Sequence, residues 1–367
     1  MTQAKPAKTR AALMLTPGPT LLPPAVLKAL SRPLVHHRTP EFEKAFARLG
    51  AGLKQLFRTE NPVYVLAASG TGAMQAAVCG LMPPGGRALV LSTGVFGDRW
   101  AEMLKRGGFD YELLRAKNGE TVDLARAEEI LKAKGREFDV VYFTHTETST
   151  GVTNPAERIA ALVRRHSAAR AVLDAVSSLA IEPVQTDGWG LDCVVSASQK
   201  GLMNAPGLSF ITLSQRAQLQ AARARPPYYF DLPLIGRMCE KGQPAFTISS
   251  GLVFGQIAAL DIIFREGLEK VWARSAKTAA RARRLAGEAG LRLFAAEPAN
   301  GLTVFHVPQG ADAAQIVEKL REKFGIIIAQ GQHELKGKIL RVAHMGHIRG
   351  ADVERAFGAL KTLLQGT

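Results

Sequence analysis

The sequence predicts an α/β fold with a mostly parallel β-sheet covered by helices on both faces. Between about residues 60 and 215, short runs rich in β-branched and aromatic residues alternate with segments of helical periodicity. Such alternation is typical of parallel sheets, whose neighbouring strands are joined by helices. After Ser249 the pattern changes to long helical segments followed by a smaller α/β unit. We therefore expect an N-terminal arm over residues 1–15, a large domain over 16–250 and a small C-terminal domain over 251–367.

Six strands are predicted in the large domain, where short runs are rich in strand-forming residues. They cover residues 62–67, 87–92, 139–144, 171–175, 192–196 and 208–214. Four helices are predicted between the strands from their helical periodicity. They cover residues 72–81, 99–106, 123–134 and 155–166. In a sheet of this kind the loops at the carboxyl ends of the strands form the expected ligand site.

The small domain is predicted to begin with two long helices and to continue with strands and one more helix. The helices cover residues 252–266, 268 to about 289, and 311–324. The strands cover residues 301–307, 325–330 and 338–344, and the last of them ends near Arg341.

The composition favours a globular protein over one that binds nucleic acid or a membrane. Lys and Arg exceed Asp and Glu by 47 to 32, but they are dispersed over helices such as 273–288, and no basic block with interleaved aromatic residues occurs. No apolar run reaches the roughly 18 to 20 residues that a membrane span requires. The three cysteines are widely spaced without metal-binding motifs, which is typical of reduced thiols and predicts a cytoplasmic protein.

A lysine and an aspartate stand at the ends of two predicted strands. Lys200 follows the strand at 192–196, and Asp174 lies 26 residues earlier, near the end of the strand at 171–175. An enzyme that holds pyridoxal phosphate needs an amine that forms a Schiff base and a carboxylate that keeps the ring nitrogen of the cofactor protonated. The order of these two residues therefore predicts a pyridoxal phosphate site.

Three further strand ends carry residues suited to the same cofactor. Gly70 and Gly72 follow the first strand and would let backbone N–H groups approach a phosphate, although an ordinary strand-to-helix turn has the same pattern. Phe96 follows the next strand and could either stack on a planar ring or pack in the core. Residues 145–155 follow a third strand and offer several hydroxyl groups, which could also serve as a helix N-cap.

Seven segments carry a resemblance that extends over nearly the whole chain after residue 12. They are TPGPT at 16–20, HHRTPEF at 36–42, SGTGAM at 69–74, ETSTGV at 147–152, LDAVSSL at 173–179, SQKGLM at 198–203 and KILRVAHMG at 338–346. In these segments the chain resembles the class V aminotransferases of fold type I, specifically the alanine–glyoxylate and serine–glyoxylate (serine–pyruvate) group. The resemblance implies a homodimeric enzyme that depends on pyridoxal phosphate and holds no metal.

The resemblance also implies the roles of individual residues. Lys200 would be the Schiff-base lysine, and Asp174 would pair with the pyridine nitrogen. The implied cofactor-binding residues are Gly70, Thr71, Phe96, Thr148, Asp174, Val176, Gln199, Lys200 and, from the other subunit, Thr247. Arg341 and Gly18 would bind the substrate, with Arg341 on its α-carboxylate. Relatives often have a phosphate-binding Tyr three residues before Thr247, where this chain has Pro244.

The implied reaction is transamination between a small amino acid, alanine or serine, and a small 2-oxo acid, glyoxylate or pyruvate. One alternative is a cysteine desulfurase or another pyridoxal phosphate lyase on the same fold. It would need a catalytic cysteine, and only Cys239 is predicted to lie in a loop, since Cys79 and Cys193 lie in apolar runs. Another alternative is a non-catalytic nucleotide- or nucleic-acid-binding α/β protein that uses the glycine loop and the positive charge.

Overall fold

The computed structural model describes residues 12–365. The strands are β1 Leu13–Met14, β2 Val63–Leu66, β3 Arg87–Ser92, β4 Asp110–Arg115, β5 Val140–Thr144, β6 Thr146–Glu147, β7 Val152–Thr153, β8 Arg170–Asp174, β9 Cys193–Ala197, β10 Ser209–Leu213, β11 Leu302–His306, β12 Ile326–Ile327, β13 Ala329–Gln330 and β14 Ile339–Ala343. The helices are α1 Pro24–Leu30, α2 Pro40–Phe57, α3 Gly70–Leu81, α4 Val95–Arg106, α5 Leu124–Lys134, α6 Ala156–His166, α7 Gln215–Ala221, α8 Leu232–Glu240, α9 Ser250–Glu266, α10 Leu268–Glu288, α11 Ala313–Phe324 and α12 Gly350–Gln365. None of these helices combines the length and the apolarity needed to cross a membrane.

A seven-stranded sheet forms the centre of the molecule, in the order β2-β10-β9-β8-β5-β3-β4. The pairs β9·β8, β8·β5, β5·β3 and β3·β4 are parallel, whereas β10 runs antiparallel to both of its neighbours. This arrangement confirms the prediction of a mostly parallel sheet. It also brings the carboxyl ends of β2, β3, β5, β8 and β9 to one edge of the sheet, where a ligand site is expected.

Both faces of this sheet are covered. Successive residues of a strand point to opposite faces, so each strand contributes side chains to both cores. Val63 and Val65 of β2 pack into the apolar core on one face, with α2 and α9. Tyr64 and Leu66 of the same strand pack into the core on the other face, with α3 and α8. Strands covered on both sides are apolar along their whole length, and this explains why the runs stand out in the sequence.

The six strands predicted for the large domain are all present, and their ends differ from the prediction by at most one residue. The edge strand β4 was not predicted, because its residues are only half buried and its sequence DYELLR lacks a continuous apolar run. Helix α4 begins at Val95, four residues before the predicted start at 99. Residues 325–330 form two short strands, β12 and β13, instead of the single predicted strand.

The C-terminal part of the chain builds a three-stranded antiparallel sheet in the order β11-β14-β13. Helices α10, α11 and α12 pack on this sheet through a separate apolar core. The short strand β1 pairs in parallel with β12. Residues 1–11 of the predicted N-terminal arm lie outside the described residues, and the domain boundaries remain predictions.

Candidate active site

A cavity of about 270 Å³ lies at the carboxyl edge of the large sheet. It brings together nine of the predicted site residues on one wall. They are Gly18, Gly70, Thr71, Phe96, Thr148, Asp174, Val176, Gln199 and Lys200. A larger cavity of about 760 Å³, around His145 and Glu182, contains none of them.

Lys200 and Asp174 meet in this cavity because β8 and β9 are parallel neighbours in the sheet. Asp174 is the last residue of β8, and Lys200 lies three residues beyond the end of β9. Oδ1 of Asp174 accepts a hydrogen bond of 2.8 Å from the backbone N–H of Val176, and no group in residues 12–365 donates to Oδ2. The ammonium group of Lys200 donates to the carbonyl oxygen of Pro17. The amine of Lys200 is thus held by a backbone acceptor at the wall of the cavity.

Burial shifts the pKa values of both groups toward their neutral forms. It raises the pKa of Asp174 to about 7, although the hydrogen bond from Val176 opposes this change. It lowers the pKa of Lys200 to about 8, and the negative charge of Asp174 opposes that change. A lysine with a pKa of about 8 is half neutral at pH 8, compared with a few tenths of a per cent for an ordinary lysine. Lys200 is thus prepared to act as a nucleophilic amine.

The N-terminus of α3 offers unpaired hydrogen-bond donors to the cavity. The side chain of Ser69, the N-cap residue, accepts no capping hydrogen bond. The N–H groups of Gly70 and Thr71 donate to no acceptor in the part of the chain that the structure describes. A Cβ at residue 70 would lie 3.0 Å from the side chain of Val176, so glycine permits the helix to begin close to the cavity wall. Free N–H groups at a helix start are a common binding site for phosphate.

Gly18 permits a close approach between the N-terminal segment and the lysine. Its φ of +101° is rarely adopted by other residues. A Cβ at this position would lie only 2.7 Å from the Cδ and Cε atoms of Lys200. Any side chain here would displace the lysine from its present position.

Two predicted site residues do not line the cavity of this single chain. Arg341 lies on β14, where its Nε donates to the carbonyl oxygen of Gln330 at 2.8 Å and its Nη1 donates to that of Thr148 at 3.1 Å. Its Nη2 donates to no group among residues 12–365, and burial lowers its pKa to about 10. Thr247 is exposed in the segment before α9. The roles of both residues remain predictions.

Two residues beside the cavity were not named by the sequence analysis. Arg99 lines the cavity, donates to Oγ1 of Thr71 at 2.7 Å and places its Cζ atom 4.7 Å from the centre of the Phe96 ring. Glu147 is fully buried and accepts a hydrogen bond from the backbone N–H of Phe96. Neither residue has a local sequence signal, because contacts between segments distant in sequence place both of them here.

The cysteines lie away from this cavity, and none of the three lines its wall. The prediction that Cys239 lies in a loop was wrong, because it lies in helix α8, which the Asp231 side chain caps by accepting from the N–H of Leu234. Burial raises the pKa of the Cys239 thiol to about 11. A thiol with so high a pKa is a poor nucleophile, and this disfavours a desulfurase.

The groups that meet in the cavity match the parts of pyridoxal phosphate. The free N–H groups of α3 suit its phosphate, Phe96 suits the face of its ring, and the unpaired oxygen of Asp174 suits a protonated ring nitrogen. The amine of Lys200 suits its aldehyde.

The sequence model of the family described as aminotransferase class-V matches residues 13–350, which is most of the chain. The chain belongs to the class V aminotransferases. Membership of this family implies that the protein is an enzyme that transfers amino groups and that its cofactor is pyridoxal phosphate. The alternative of a non-catalytic binding protein is not supported.

Individual relatives of this aminotransferase carry several names. The chain is 36% identical to a soluble hydrogenase small subunit of Synechococcus sp., which is aligned over 96% of this chain and 93% of the relative. It is 34% identical to an L-aspartate–glyoxylate aminotransferase of Paracoccus denitrificans, over 91% of this chain and 86% of the relative. It is 31% identical to a serine–glyoxylate aminotransferase of Hyphomicrobium methylovorum, over 91% of this chain and 84% of the relative.

The solved structure of an alanine–glyoxylate aminotransferase from Nostoc sp. shares the fold of this aminotransferase. Its TM-score is 0.92 at 30% sequence identity, and the alignment covers 99% of this chain and 98% of that chain. This similarity confirms the predicted fold type I architecture.

Proposed function

We propose that this transaminase moves an amino group between a small amino acid, alanine or serine, and a small 2-oxo acid, glyoxylate or pyruvate. The observation that carries the proposal is the meeting of Lys200 and Asp174 at the ends of adjacent parallel strands, in one cavity with the free N–H groups of α3. The names of the relatives that act with glyoxylate support this choice of acceptor.

Each of the central residues has one proposed role. Lys200 would hold the cofactor covalently, and its amine would take the proton from the Cα atom of the substrate as general base and give it back as general acid during amino transfer. Asp174 would stabilise a proton on the ring nitrogen, and Arg341 would bind the α-carboxylate and so orient the Cα–H bond. When bound, the cofactor supplies the electron sink for the reaction.

The cofactor-binding side chains surround these groups. Phe96 would cover one face of the ring, while Gly70, Thr71 and Gln199 would hold the phosphate. Arg99 would add a positive charge beside the phosphate, since its Nη1 already donates to Thr71. Thr148, Val176 and Gly18 would complete the wall of the site.

The substrate assignment is tested by a matrix of amino donors and 2-oxo acid acceptors on the purified enzyme. The donors should include alanine, serine and aspartate, and the acceptors glyoxylate, pyruvate and oxaloacetate. We expect the highest kcat/KM for alanine or serine with glyoxylate or pyruvate. A clear preference for aspartate with every acceptor would contradict the proposal while leaving the transaminase activity intact.

Arg341→Leu is expected to raise the KM of every α-amino acid and 2-oxo acid while the pyridoxal phosphate content stays normal. The reason is that the α-carboxylate would lose its charged partner in a buried site, at a cost of about 2 to 5 kcal/mol. A simple amine without a carboxylate should be much less affected. Steady-state kinetics with both kinds of donor measure the difference.

The control for this variant is Arg292→Leu, which removes an exposed arginine from the same part of the chain. It should leave the kinetics unchanged. If Arg341→Leu also had normal kinetics with alanine, serine and glyoxylate, the carboxylate would be held elsewhere.

We further propose a cytoplasmic homodimer in which Thr247 of one subunit reaches the site of the other. Thr247 is exposed and lies away from the cavity of its own chain. Leu34 and Tyr228 are 86% and 74% exposed in the single chain, and we propose that they are covered in the dimer. The three cysteines form no disulfide, and this fits a reducing compartment.

The dimer is expected to persist at nanomolar concentration, because obligate interfaces usually bury more than about 2,000 Å². Sedimentation velocity at decreasing enzyme concentration, combined with activity measurements, tests this. An active monomer that is stable to dilution would contradict the shared site. Since Pro244 stands where relatives often have a phosphate-binding Tyr, Thr247→Ala should be examined separately for loss of cofactor affinity.

A further inference from the structure

Glu147 is a buried carboxylate that accepts four hydrogen bonds at the back of the cofactor cavity. Its side chain is inaccessible to solvent. Oε2 accepts from the backbone N–H groups of Phe96 at 3.0 Å and Gly97 at 2.9 Å. Oε1 accepts from the backbone N–H of Ser149 at 3.0 Å and from its hydroxyl group at 2.6 Å. Glu147 thus joins the start of α4 to the segment that carries Thr148.

Helix α4 depends on this distant carboxylate because its own N-cap cannot serve. The N–H groups in the first turn of a helix have no partners within the helix. The N-cap residue is Gly94, which has no side chain to offer an acceptor. The Ser149 hydroxyl oxygen accepts from the N–H of Val95 at 3.1 Å, and the hydroxyl group donates a hydrogen bond to Glu147. The pair Glu147 and Ser149 therefore caps three successive N–H groups of α4.

The burial of Glu147 favours its neutral form, whereas the hydrogen bonds that it accepts favour its ionised form. Burial raises the pKa of Glu147, but the hydrogen bonds from Ser149, Gly97 and Phe96 all oppose this change. The N-terminus of α4 adds a positive partial charge beside the carboxylate. The groups around this carboxylate are hydrogen-bond donors. A protonated side chain, or the amide of glutamine, would turn a donor of its own toward them, and two donors form no hydrogen bond.

The charge of Glu147 also acts on the groups in the cavity. Burial lowers the pKa values of Arg341 and Lys200, and the negative charge of Glu147 opposes this lowering. The same charge adds to the raised pKa of Asp174. The other charged groups that act on Lys200 are Asp174, Arg341 and Arg99. Glu147 therefore lies close enough to influence each of the three groups to which the proposed function gives a role.

We propose that Glu147 is a positioning residue of the transamination site, which holds Phe96 over the cofactor ring by capping the first turn of α4. This inference rests on the proposed function, because the aromatic ring has a task only when the cofactor is bound. Phe96 lies in the first turn of α4 and Arg99 begins the next turn, and both line the cavity. When the cap is lost, the turn can shift and both side chains move with it.

Glu147→Gln tests the proposal. The amide keeps the size of the side chain but turns a donor toward at least one N–H or O–H group. The affinity for pyridoxal phosphate, measured by titration of the visible absorption of apoenzyme, should fall by about tenfold to a hundredfold, since leaving buried donors unpaired is costly. The visible circular dichroism of the bound cofactor should weaken, because the ring is no longer clamped. The value of kcat should fall by roughly a hundredfold, with a much smaller change in KM.

A matched control is Glu182→Gln. Glu182 is also buried, at 5% exposure, and accepts hydrogen bonds from the Thr153 hydroxyl group and the Asn300 N–H. It makes no contact with α4, so the change should lower the melting temperature without altering cofactor affinity or circular dichroism. Equal cofactor affinity and dichroism in the Glu147→Gln and Glu182→Gln variants would overturn the inference.

A double-mutant cycle shows whether Glu147 acts through Phe96. If it does, Glu147→Gln should have little additional effect on cofactor affinity in a Phe96→Leu background, because residues that act together are not additive. Fully additive losses would mean that the carboxylate acts by another route, and would contradict the proposal. If wild-type enzyme formed no covalent cofactor adduct on Lys200, the proposed function itself would fail, and this outcome is distinct from both results.

Discussion

Replacing Lys200 with alanine is expected to abolish transamination while the chain remains folded. The Lys200 side chain donates a hydrogen bond to the Pro17 carbonyl oxygen and does not belong to the apolar core. The loss in stability should therefore be small. Its amine has two proposed tasks, covalent attachment of the cofactor and proton transfer at Cα, and proton transfer alone contributes about 10² to 10⁴ in rate. We expect kcat to fall by roughly 10⁴-fold or more.

The measurement for Lys200→Ala is a single-turnover assay with alanine as the donor. Added methylamine, which replaces the missing amine, should restore part of the rate, because the rest of the site is unchanged. Lys241→Ala, at an exposed position after α8, should retain full activity. Activity of Lys200→Ala within tenfold of the wild type would refute the role.

Replacing Asp174 with asparagine is expected to preserve the fold but to lower the rate of the amino-transfer half-reaction by several orders of magnitude. An amide oxygen can still accept from the N–H of Val176, so the local structure is retained. An amide cannot stabilise a proton on the ring nitrogen, so the negative charge that develops at Cα loses its electron sink. Stopped-flow absorption after mixing with alanine measures the half-reaction.

The pH dependence of cofactor binding separates this electrostatic role from a loss of shape. The pKa of Asp174 is raised to about 7, so the free carboxyl group is largely protonated below that pH and ionised above it. A protonated ring nitrogen binds the ionised form better, and the wild-type affinity should therefore increase as the pH rises through about 7. This increment should be missing in Asp174→Asn. Near-normal turnover in the folded variant would show that Asp174 has another role.

Asp123→Asn is a suitable control for Asp174→Asn. Asp123 caps α5 by accepting from the N–H of Arg126, and asparagine caps a helix about as well. The same chemical change made away from the cavity should leave the rate and its pH dependence unaltered.

The central sheet could be predicted because its strands are buried on both faces. β3 and β5 are continuous apolar runs, and alternation with helices indicated that they are parallel. The edge strand β4 lacks this signal, since its residues are only partly buried or exposed. Helix α2 also has a clear sequence signal, because Thr39 caps it before Pro40 and apolar residues recur at helical spacing.

The site was partly predictable because the chemistry requires an amine and a carboxylate, and a parallel sheet brings residues at its strand ends together. Lys200 and Asp174 are such residues. The residues around them are placed by contacts between segments that are far apart in the sequence. Glu147 lies in a segment of hydroxyl residues, and nothing local indicates that it is buried against the first turn of α4, about 50 residues earlier. Arg99 would by itself be taken for a solvated charge on a helix, and only the tertiary structure places it beside Thr71.

The covalent attachment of pyridoxal phosphate is the central claim, and borohydride reduction tests it most directly. The purified enzyme is incubated with pyridoxal phosphate, reduced with sodium borohydride, digested, and analysed by mass spectrometry. We predict a single pyridoxyl group on the peptide that contains Lys200, together with loss of the visible absorption band. A label on another lysine, or no label in folded enzyme that absorbs in the visible, would contradict the account.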